Sequence, residues 1–358
     1  VARVIAMVAT KKGAFFLESD ERRRDWTVRG PFCENWPIMH VNYDPHSRTI
    51  FAGGGSPWYG SAIWRSRDFG ETWSHSSQGL TFGDAGPKLE RVWNVTPAHG
   101  SLYVGVDPAA LFRSDDGGET FVHVEGLQKH PTRPNWEPGN GGLCLHTIVP
   151  HPTDPRQMWV AASAVGVFYT ADGGQTWETR TKGLKAPYMP TEKEVEVGYC
   201  VHKVVMAPGH PDTLYQQGHY GVYRSRDGAK TWEWINEGLP STFGFPVAVH
   251  PHDPQTIYVI PLSGDDKGRF MPQGQAAVWR SRNAGDSWER LTGGLPQLGA
   301  YVGVLREAMA TDRLPSAGIY FGTSTGQLFV SPDEGESWVA AASFLPPISG
   351  VEVAVVED

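Results

Sequence analysis

The stretch Ser66-Arg67-Asp68-Phe69-Gly70-Glu71-Thr72-Trp73 returns five times along the chain: as SDDGGETF at 114–121, TADGGQTW at 170–177, SRDGAKTW at 225–232, SRNAGDSW at 281–288 and SPDEGESW at 331–338. The terminal aromatics stand 48, 56, 55, 56 and 50 positions apart. A recurring period of this size marks solenoids, propellers or arrays, and it suits one four-stranded unit per copy. The phrase itself is turn chemistry. A Ser or Thr is followed two positions on by Asp, whose carboxylate accepts hydrogen bonds from backbone N–H groups ahead of it, and Gly supplies the positive φ of the turn. Apolar residues at strand spacing precede it (Ala62, Ile63 and Trp64; Val167, Phe168 and Tyr169; Val222 and Tyr223), and a Thr or Ser with an aromatic follows. Each copy therefore predicts a β-hairpin whose aromatic packs inward.

Working outward, complete units read as an inner strand, an x-Pro turn, a second strand, a loop and the boxed hairpin. The turns are Thr96-Pro97, His151-Pro152, Ala207-Pro208 and His250-Pro251. The first segment, 3–31, reads as a unit without its box. Residues 4–9 and 13–17 have strand character and Trp26 stands where a box would deliver its aromatic, but 19–24 form a charged turn lacking Gly. That unit brings the count to seven, at approximately 1–30 plus 350–357, 38–80, 90–127, 143–184, 199–239, 244–295 and 300–342. The expectation is one all-β domain over 1–358, a seven-bladed β-propeller of four-stranded blades. Residues 351–356 follow the last box with no hairpin after them, so they are expected to pair beside 4–9 as the innermost strand of the first blade. Such pairing ties both ends of the chain and leaves no free sheet edge.

The six copies resemble the Asp-box, or BNR, repeat of β-propellers, a group that includes sialidases, sortilin-type receptors, xyloglucanases and photosystem assembly factors. The resemblance covers nearly the whole chain. It implies that Asp68, Asp116, Asp172, Asp227 and Asp333 are structural, with Asn283 replacing the carboxylate in the fifth copy by an amide that can accept the same hydrogen bonds. It also implies a glycosyl hydrolase-like or glycan-binding function on the face opposite the boxes, and a glycosidase-type hydrolase if the chain is catalytic. Departures from the family weaken a specific assignment. Sialidases carry an Arg-Ile-Pro signature near their start, whereas the nearest likeness here is the late Arg269-Phe270-Met271-Pro272. Xyloglucanase-type enzymes set their carboxylates between two propellers, and this chain predicts one. A glycosidase needs paired carboxylates on one face; Asp84, Glu90, Asp107, Glu137 and Glu307 are the acidic candidates.

Composition narrows the classes further. The chain has 358 residues with 14 Trp, 42 Gly and 28 Pro, which suits a turn-rich β fold. A net charge of −8, with no basic cluster beyond Arg22, Arg23 and Arg24, argues against nucleic acid as a partner. No apolar run approaches the length of a membrane span. Cys33, Cys144 and Cys200 are sparse, odd in number and without Cys-x-x-Cys spacing, which argues against a disulfide framework and favours a cytoplasmic location. A secreted chain whose signal had been removed before Val1 would read the same.

The functional face is expected where loops are long: 53–61 with Trp58 and Tyr59, 79–90, 126–142 with Trp136 and Glu137, 183–198 with Glu192, Glu194 and Glu196, and 263–275 with Asp265, Asp266, Lys267 and Arg269. Aligning the units on their x-Pro turns adds a second pattern. His146, His202, Arg91 and Phe245 each lie six positions before the Pro, Arg306 lies six before Asp312, and His40 lies five before Pro45. Rotation about a propeller axis would bring such residues together at the channel mouth. A single His on a core strand is usually structural; recurrence is what points to convergence. Two chemistries follow. His40, Arg91, His146, His202 and Arg306, with Trp136 and Tyr220 as walls, would hold an anion through Arg forks. Alternatively His40, His146 and His202, joined by His219, would hold a divalent metal through neutral imidazoles. His146, His202, Glu137 and Glu307 are the candidate acid/base groups. No cofactor is required by the sequence, and no nucleophile is identifiable. Expected partners are a small-molecule or carbohydrate ligand, or a protein if the propeller is a non-catalytic assembly scaffold.

Overall fold

The computed structural model describes residues 2–56, 58–187, 195–264 and 267–357. Seven four-stranded antiparallel sheets form a ring, the β-propeller expected from the repeat. In the first blade β1 (Arg3–Thr10), β2 (Gly13–Asp20) and β3 (Thr27–Phe32) lie outside the C-terminal strand β28 (Ile348–Val356), which is innermost. The second blade is β4 (Ile38–Asp44), β5 (Thr49–Ser56), β6 (Gly60–Ser66) and β7 (Ser74–Ser76). The third runs from inner β8 (Arg91–Ala98) through β9 (Ser101–Asp107) and β10 (Ala110–Ser114) to β11 (Val122–His123). The fourth comprises β12 (Leu145–Pro150), β13 (Met158–Ala162), β14 (Gly166–Thr170) and β15 (Glu178–Thr179). The fifth comprises β16 (Val201–Ala207), β17 (His210–Gly218), β18 (Gly221–Ser225) and β19 (Glu233–Trp234). β20 (Gly244–Val249), β21 (Ile257–Pro261), β22 (Val278–Ser281) and β23 (Glu289–Leu291) form the sixth, and β24 (Met309–Thr311), β25 (Ile319–Gly322), β26 (Leu328–Ser331) and β27 (Val339–Ala342) the seventh.

The closure is as the sequence predicts. β28 pairs antiparallel with β1, Val4 opposite Val355 and Val8 opposite Val351. Because β1 is covered on both faces by neighbouring blades, it is apolar from Val4 to Ala9 rather than alternating; Val4, Ile5, Ala6, Met7, Val8 and Ala9 are all fully buried.

Each Asp box works as its residue types dictate. In the first copy Ser66 Oγ donates to Asp68 Oδ1 (2.8 Å), Thr72 N donates to the same oxygen (2.9 Å), and Thr72 Oγ1 donates to Oδ2 (2.5 Å). In the fifth copy Asn283 Oδ1 accepts from Ser281 Oγ and Ser287 N, and its Nδ2 instead donates to Ser287 Oγ. The amide thus preserves the turn by reversing one bond. Two consecutive residues of each box are left-handed, and Phe69, Ala229, Ala284 and Glu334 take a place there without being Gly.

The boxes also join the blades, which the sequence pattern does not disclose. Arg29, Arg65, Arg224 and Arg280 each reach the next blade's box, donating to the carbonyls of Phe69, Gly117, Ala284 and Glu334 and pairing with Glu71, Glu119, Asp286 and Glu336. At the seam between the seventh and first blades the boxless turn supplies its own version. Arg23, itself left-handed (φ 55°), is buried against Asp312, with Nη1 2.8 Å from Oδ2. The same Asp312 accepts from Tyr320 Oη, Leu314 N and Gly318 N.

Candidate functional site at the channel mouth

The site begins with a local irregularity. Register shifts leave one residue unpaired in each of five inner strands, Met39 in β4, Trp93 in β8, His146 in β12, His202 in β16 and Ser349 in β28, and two in β20, Phe245 and Pro246. A bulge bends its strand and re-aims the extra side chain. Here Met39, Trp93, His202, Phe245 and Ser349 line one cavity of about 690 Å³ at a mouth of the central channel. Lys11, Arg91, Ser163 and Arg306 complete its wall, so every blade contributes. The face is the one opposite the Asp boxes. A second cavity, lined by the turn residues Pro45, Pro208 and Pro251, opens at the other mouth.

The recurring histidines have a shared structural task. His40 Nδ1 accepts from Val95 N, His146 Nε2 donates to the Val201 carbonyl, and His202 Nδ1 donates to the Gly244 carbonyl; each bond joins an inner strand to that of the next blade. In the third blade Asn94 does this work, donating to the His146 carbonyl. Burial pulls His40 down to about 4 and, with the Arg306 guanidinium nearby, holds His146 and His202 well below the ordinary range, so all three are neutral at pH 7.

Of the residues singled out in the sequence, Arg91, Glu137, His202, His219, Arg306 and Glu307 share the cavity wall. His40 and His146 are buried between blades and are not among its lining residues. Trp136 is also buried, its Nε1 donating to Thr132 Oγ1 and its ring against Phe168, while its neighbours Asn135 and Glu137 reach the cavity. Tyr220 packs its ring on His219 at 4.7 Å. Of the remaining acidic candidates, Asp84 and Glu90 are exposed, and Asp107 is buried with Arg91 Nε 3.6 Å away. Trp58 is exposed and Tyr59 stacks on Trp36. Glu192, Glu194, Asp265 and Asp266 lie outside the described residues. Lys11, Trp93 and Cys200 join the site without having been singled out for it; the signal available in advance was the Cys200-x-His202 alternation, which sends both side chains to one face of a strand.

Electrostatically the mouth is cationic above an ionic plug. Arg306 lies over the rings of Trp93 (5.1 Å) and Phe245 (5.9 Å), and no carboxylate among the described residues is within ion-pair distance of it. Below it Glu307 is buried, bonded to Lys203 and 3.5 Å from His40 Nε2, while its Oε1 has no hydrogen-bond partner. Burial opposes its charge, but Lys203 and then His40 hold its carboxyl below the usual range. Glu307 is therefore ionised and unsuited to donate a proton near pH 7.

Glu352 on β28 faces the lower cavity and behaves oppositely. Burial, reinforced by Glu307, raises it to about 7 against the pull of Lys203. A carboxyl raised in the fold binds more protons there than in the unfolded chain, so stability falls as pH rises from about 4.5 to about 7. Glu352→Gln should remove that dependence. Allowing for water in the channel, the variant is expected to be more stable than the parent by about 1–2 kcal/mol at pH 8 and equal to it at pH 4. Urea melts at the two pH values check this; an identical difference at both would refute it.

No disulfide joins Cys33, Cys144 and Cys200. Among the described residues no helix is long and apolar enough to cross a membrane.

Comparison with known proteins agrees with this architecture. Residues 168–179, the third box with its flanking strands, match the family described as BNR/Asp-box repeat. A Paenibacillus protein named xyloglucanase is 26% identical over 302 residues, 78% of this chain. The chain spans only 24% of that relative's length. Among solved structures, one of YCF48 bound to D1 peptide superposes with a TM-score of 0.58 at 16% identity, covering 90% of this chain and 92% of that one. A protein described as a putative 6-phosphogluconolactonase from Bacteroides fragilis superposes with a TM-score of 0.59 at 8% identity, covering 98% of each chain. At these identities the structural likeness is one of fold. The chain is thus a seven-bladed β-propeller in which residues 168–179 match the BNR/Asp-box repeat and five further copies of the same phrase recur.

Proposed function

We propose that the channel-mouth cavity binds a small anionic ligand, carbohydrate-like in its remaining surface. The observation that carries this reading is Arg306, a guanidinium held on two aromatic faces at a cavity wall with no described carboxylate paired to it. An Arg fork in such a place matches a carboxylate or phosphate bidentately. Arg91 and Lys11 add positive charge to the same wall, and about 690 Å³ suits a ligand of one or two sugar rings. The carbohydrate component draws on the relative named xyloglucanase and on Trp93, whose ring borders the cavity. Binding rather than glycosidic hydrolysis is the activity these side chains support. Glu137 and Glu307 share the cavity, but Glu307 is ionised and engaged by Lys203 and His40, which keeps it from serving as the acid of a hydrolytic pair.

Calorimetric titration of the full chain in EDTA tests the reading with glucuronate, gluconate 6-phosphate and a neutral xyloglucan oligosaccharide. At least one anion is expected to bind with an affinity that falls with salt, and Arg306→Ala should weaken it by about 30- to 100-fold, the worth of a hydrogen-bonded pair to a charged group. Arg306→Lys should recover part of the loss. Equal binding of the neutral sugar, or an affinity indifferent to Arg306→Ala, would overturn the proposal.

A further inference from the structure

Beside the cationic wall the cavity carries a second cluster of different chemistry. Cys200 and His202 stand two residues apart at the start of β16, and His219 lies across the ladder in the turn between β17 and β18. The backbone N–H of His219 donates to the Cys200 carbonyl at 3.0 Å, which fixes the two segments against each other. Cys200 Sγ, a ring nitrogen of His202 and a ring nitrogen of His219 all lie within 4.8 Å of one another. All three residues line the cavity.

We propose that Cys200 Sγ, His202 Nε2 and a ring nitrogen of His219 supply three ligands to a divalent ion of the zinc class at the cavity wall.

Geometry supplies the first argument. Tetrahedral zinc with bonds of about 2.0–2.1 Å to nitrogen and about 2.3 Å to sulfur separates its nitrogen and sulfur ligands by roughly 3.3–3.7 Å. Cys200 Sγ and His202 Nε2 are already 3.5 Å apart, so closing the triangle needs only a small movement of His219. The tautomer supplies the second. A carbonyl oxygen only accepts, so His202 Nδ1, 2.5 Å from the Gly244 oxygen, carries the proton and Nε2 presents its lone pair toward Cys200. That is the arrangement by which an outer carbonyl orients a metal-ligating imidazole. His40, at a comparable place in the second blade, directs its ring to the next blade; His146 also follows a Cys at the same spacing, but its two ring nitrogens are engaged by Thr147 and the Val201 carbonyl, and Cys144 Sγ lies against Arg306. Among the described residues, the fifth blade alone brings the bulged His together with both a Cys and a His on the adjacent turn.

Donor type selects the ion. One thiolate with two imidazoles is a set for zinc, cobalt or copper and a poor one for magnesium or calcium, which prefer oxygen. Arg269, stacked on Phe243 and Phe245 at the same rim, works against a cation there, and the thiolate's charge offsets it. Binding requires Cys200 to lose its proton to solvent, so about one proton should be released per ion bound.

The inference stands apart from anion binding, which is measured above with metal chelated. The test uses the full chain stripped of metal and titrated with Co²⁺, then with Zn²⁺ against a chromophoric chelator. Expected are one ion per chain, tetrahedral d–d bands, a thiolate-to-cobalt charge-transfer band and release of about one proton. Cys200→Ser should abolish the charge-transfer band and weaken Zn²⁺ at least 100-fold, whereas Cys144→Ser should leave both unchanged. Should Cys200→Ser fail to fold, His219→Gln, a change in a turn, should reduce affinity by a similar factor and alter the d–d bands. Absence of the charge-transfer band in the parent chain, or its survival in Cys200→Ser, would overturn the site, as would an affinity unaffected by His219→Gln.

Discussion

Deleting the chain from Val351 onward should lower the melting temperature by roughly 10–20 °C or leave the protein unable to fold. The deletion removes most of β28, and with it the partners of Arg3 through Val8 along β1. Val351 and Val356 are buried, and each such side chain contributes about 1.5–3 kcal/mol. Ala354 and the ladder hydrogen bonds add to that loss, against a net stability of about 5–15 kcal/mol for a typical domain. A second consequence is kinetic. β1 becomes an exposed apolar edge, which invites pairing with other chains. Thermal melts with light scattering check both, and a synthetic peptide covering 348–357 should recover part of the stability when added in trans. A truncated chain that melts within 2 °C of the parent and stays monomeric would show that the ring does not depend on its closing strand.

The seam held by Arg23 and Asp312 should be nearly as sensitive. Removing one partner of a buried ion pair leaves the other charged and desolvated, at a cost of about 3–5 kcal/mol. Arg23 spans from the first blade to Asp312, the Ser316 carbonyl and the Pro332 carbonyl, and Asp312 has three further donors. Each single Ala substitution should therefore lower the melting temperature by about 4–7 °C. The double substitution should cost at least about 2 kcal/mol less than the sum of the two, because neither charge is then orphaned. Urea melts of the four proteins in a double-mutant cycle measure this. Additive costs, or single losses below about 1 kcal/mol, would show that solvent reaches the pair and that the seam is held by packing alone.

These two contacts differ in how far the sequence revealed them. Pairing of the last strand with the first could be inferred by elimination, because a unit lacking an inner strand and a strand lacking a unit complete one another. The ion pair could not. Arg23 lies in a charged turn that resembles any solvated loop, and Asp312 occupies the place of a Pro; their burial exists only once the ring is closed. The arginines that join successive boxes were likewise silent, since each partner belongs to a different repeat.

The site shows the same division. Counting back from the x-Pro turns found His202 and Arg306 at the cavity, and it found His146 and His40 by the same rule although they stitch blades together instead. The rule counts residues, whereas orientation depends on where each inner strand bulges and on which partner the ring then meets: His146 stands at a bulge as His202 does, but its ring is held between blades by Thr147 and the Val201 carbonyl. In β8 the bulge falls on Trp93, two residues beyond the position counted as Arg91; in β4 it falls on Met39, next to His40.

By itself, the sequence determined the repeat, the hairpins and their hydrogen bonds, the number of blades and the manner of closure, because each rests on local chemistry repeated within a few residues. Tertiary structure alone decided which recurring side chains face the channel, which charges are buried in pairs, and that Cys200, His202 and His219 meet. Those outcomes depend on bulges of a single residue and on contacts between blades some 50 positions apart, and a one-residue shift along a strand turns a side chain from the cavity to the core.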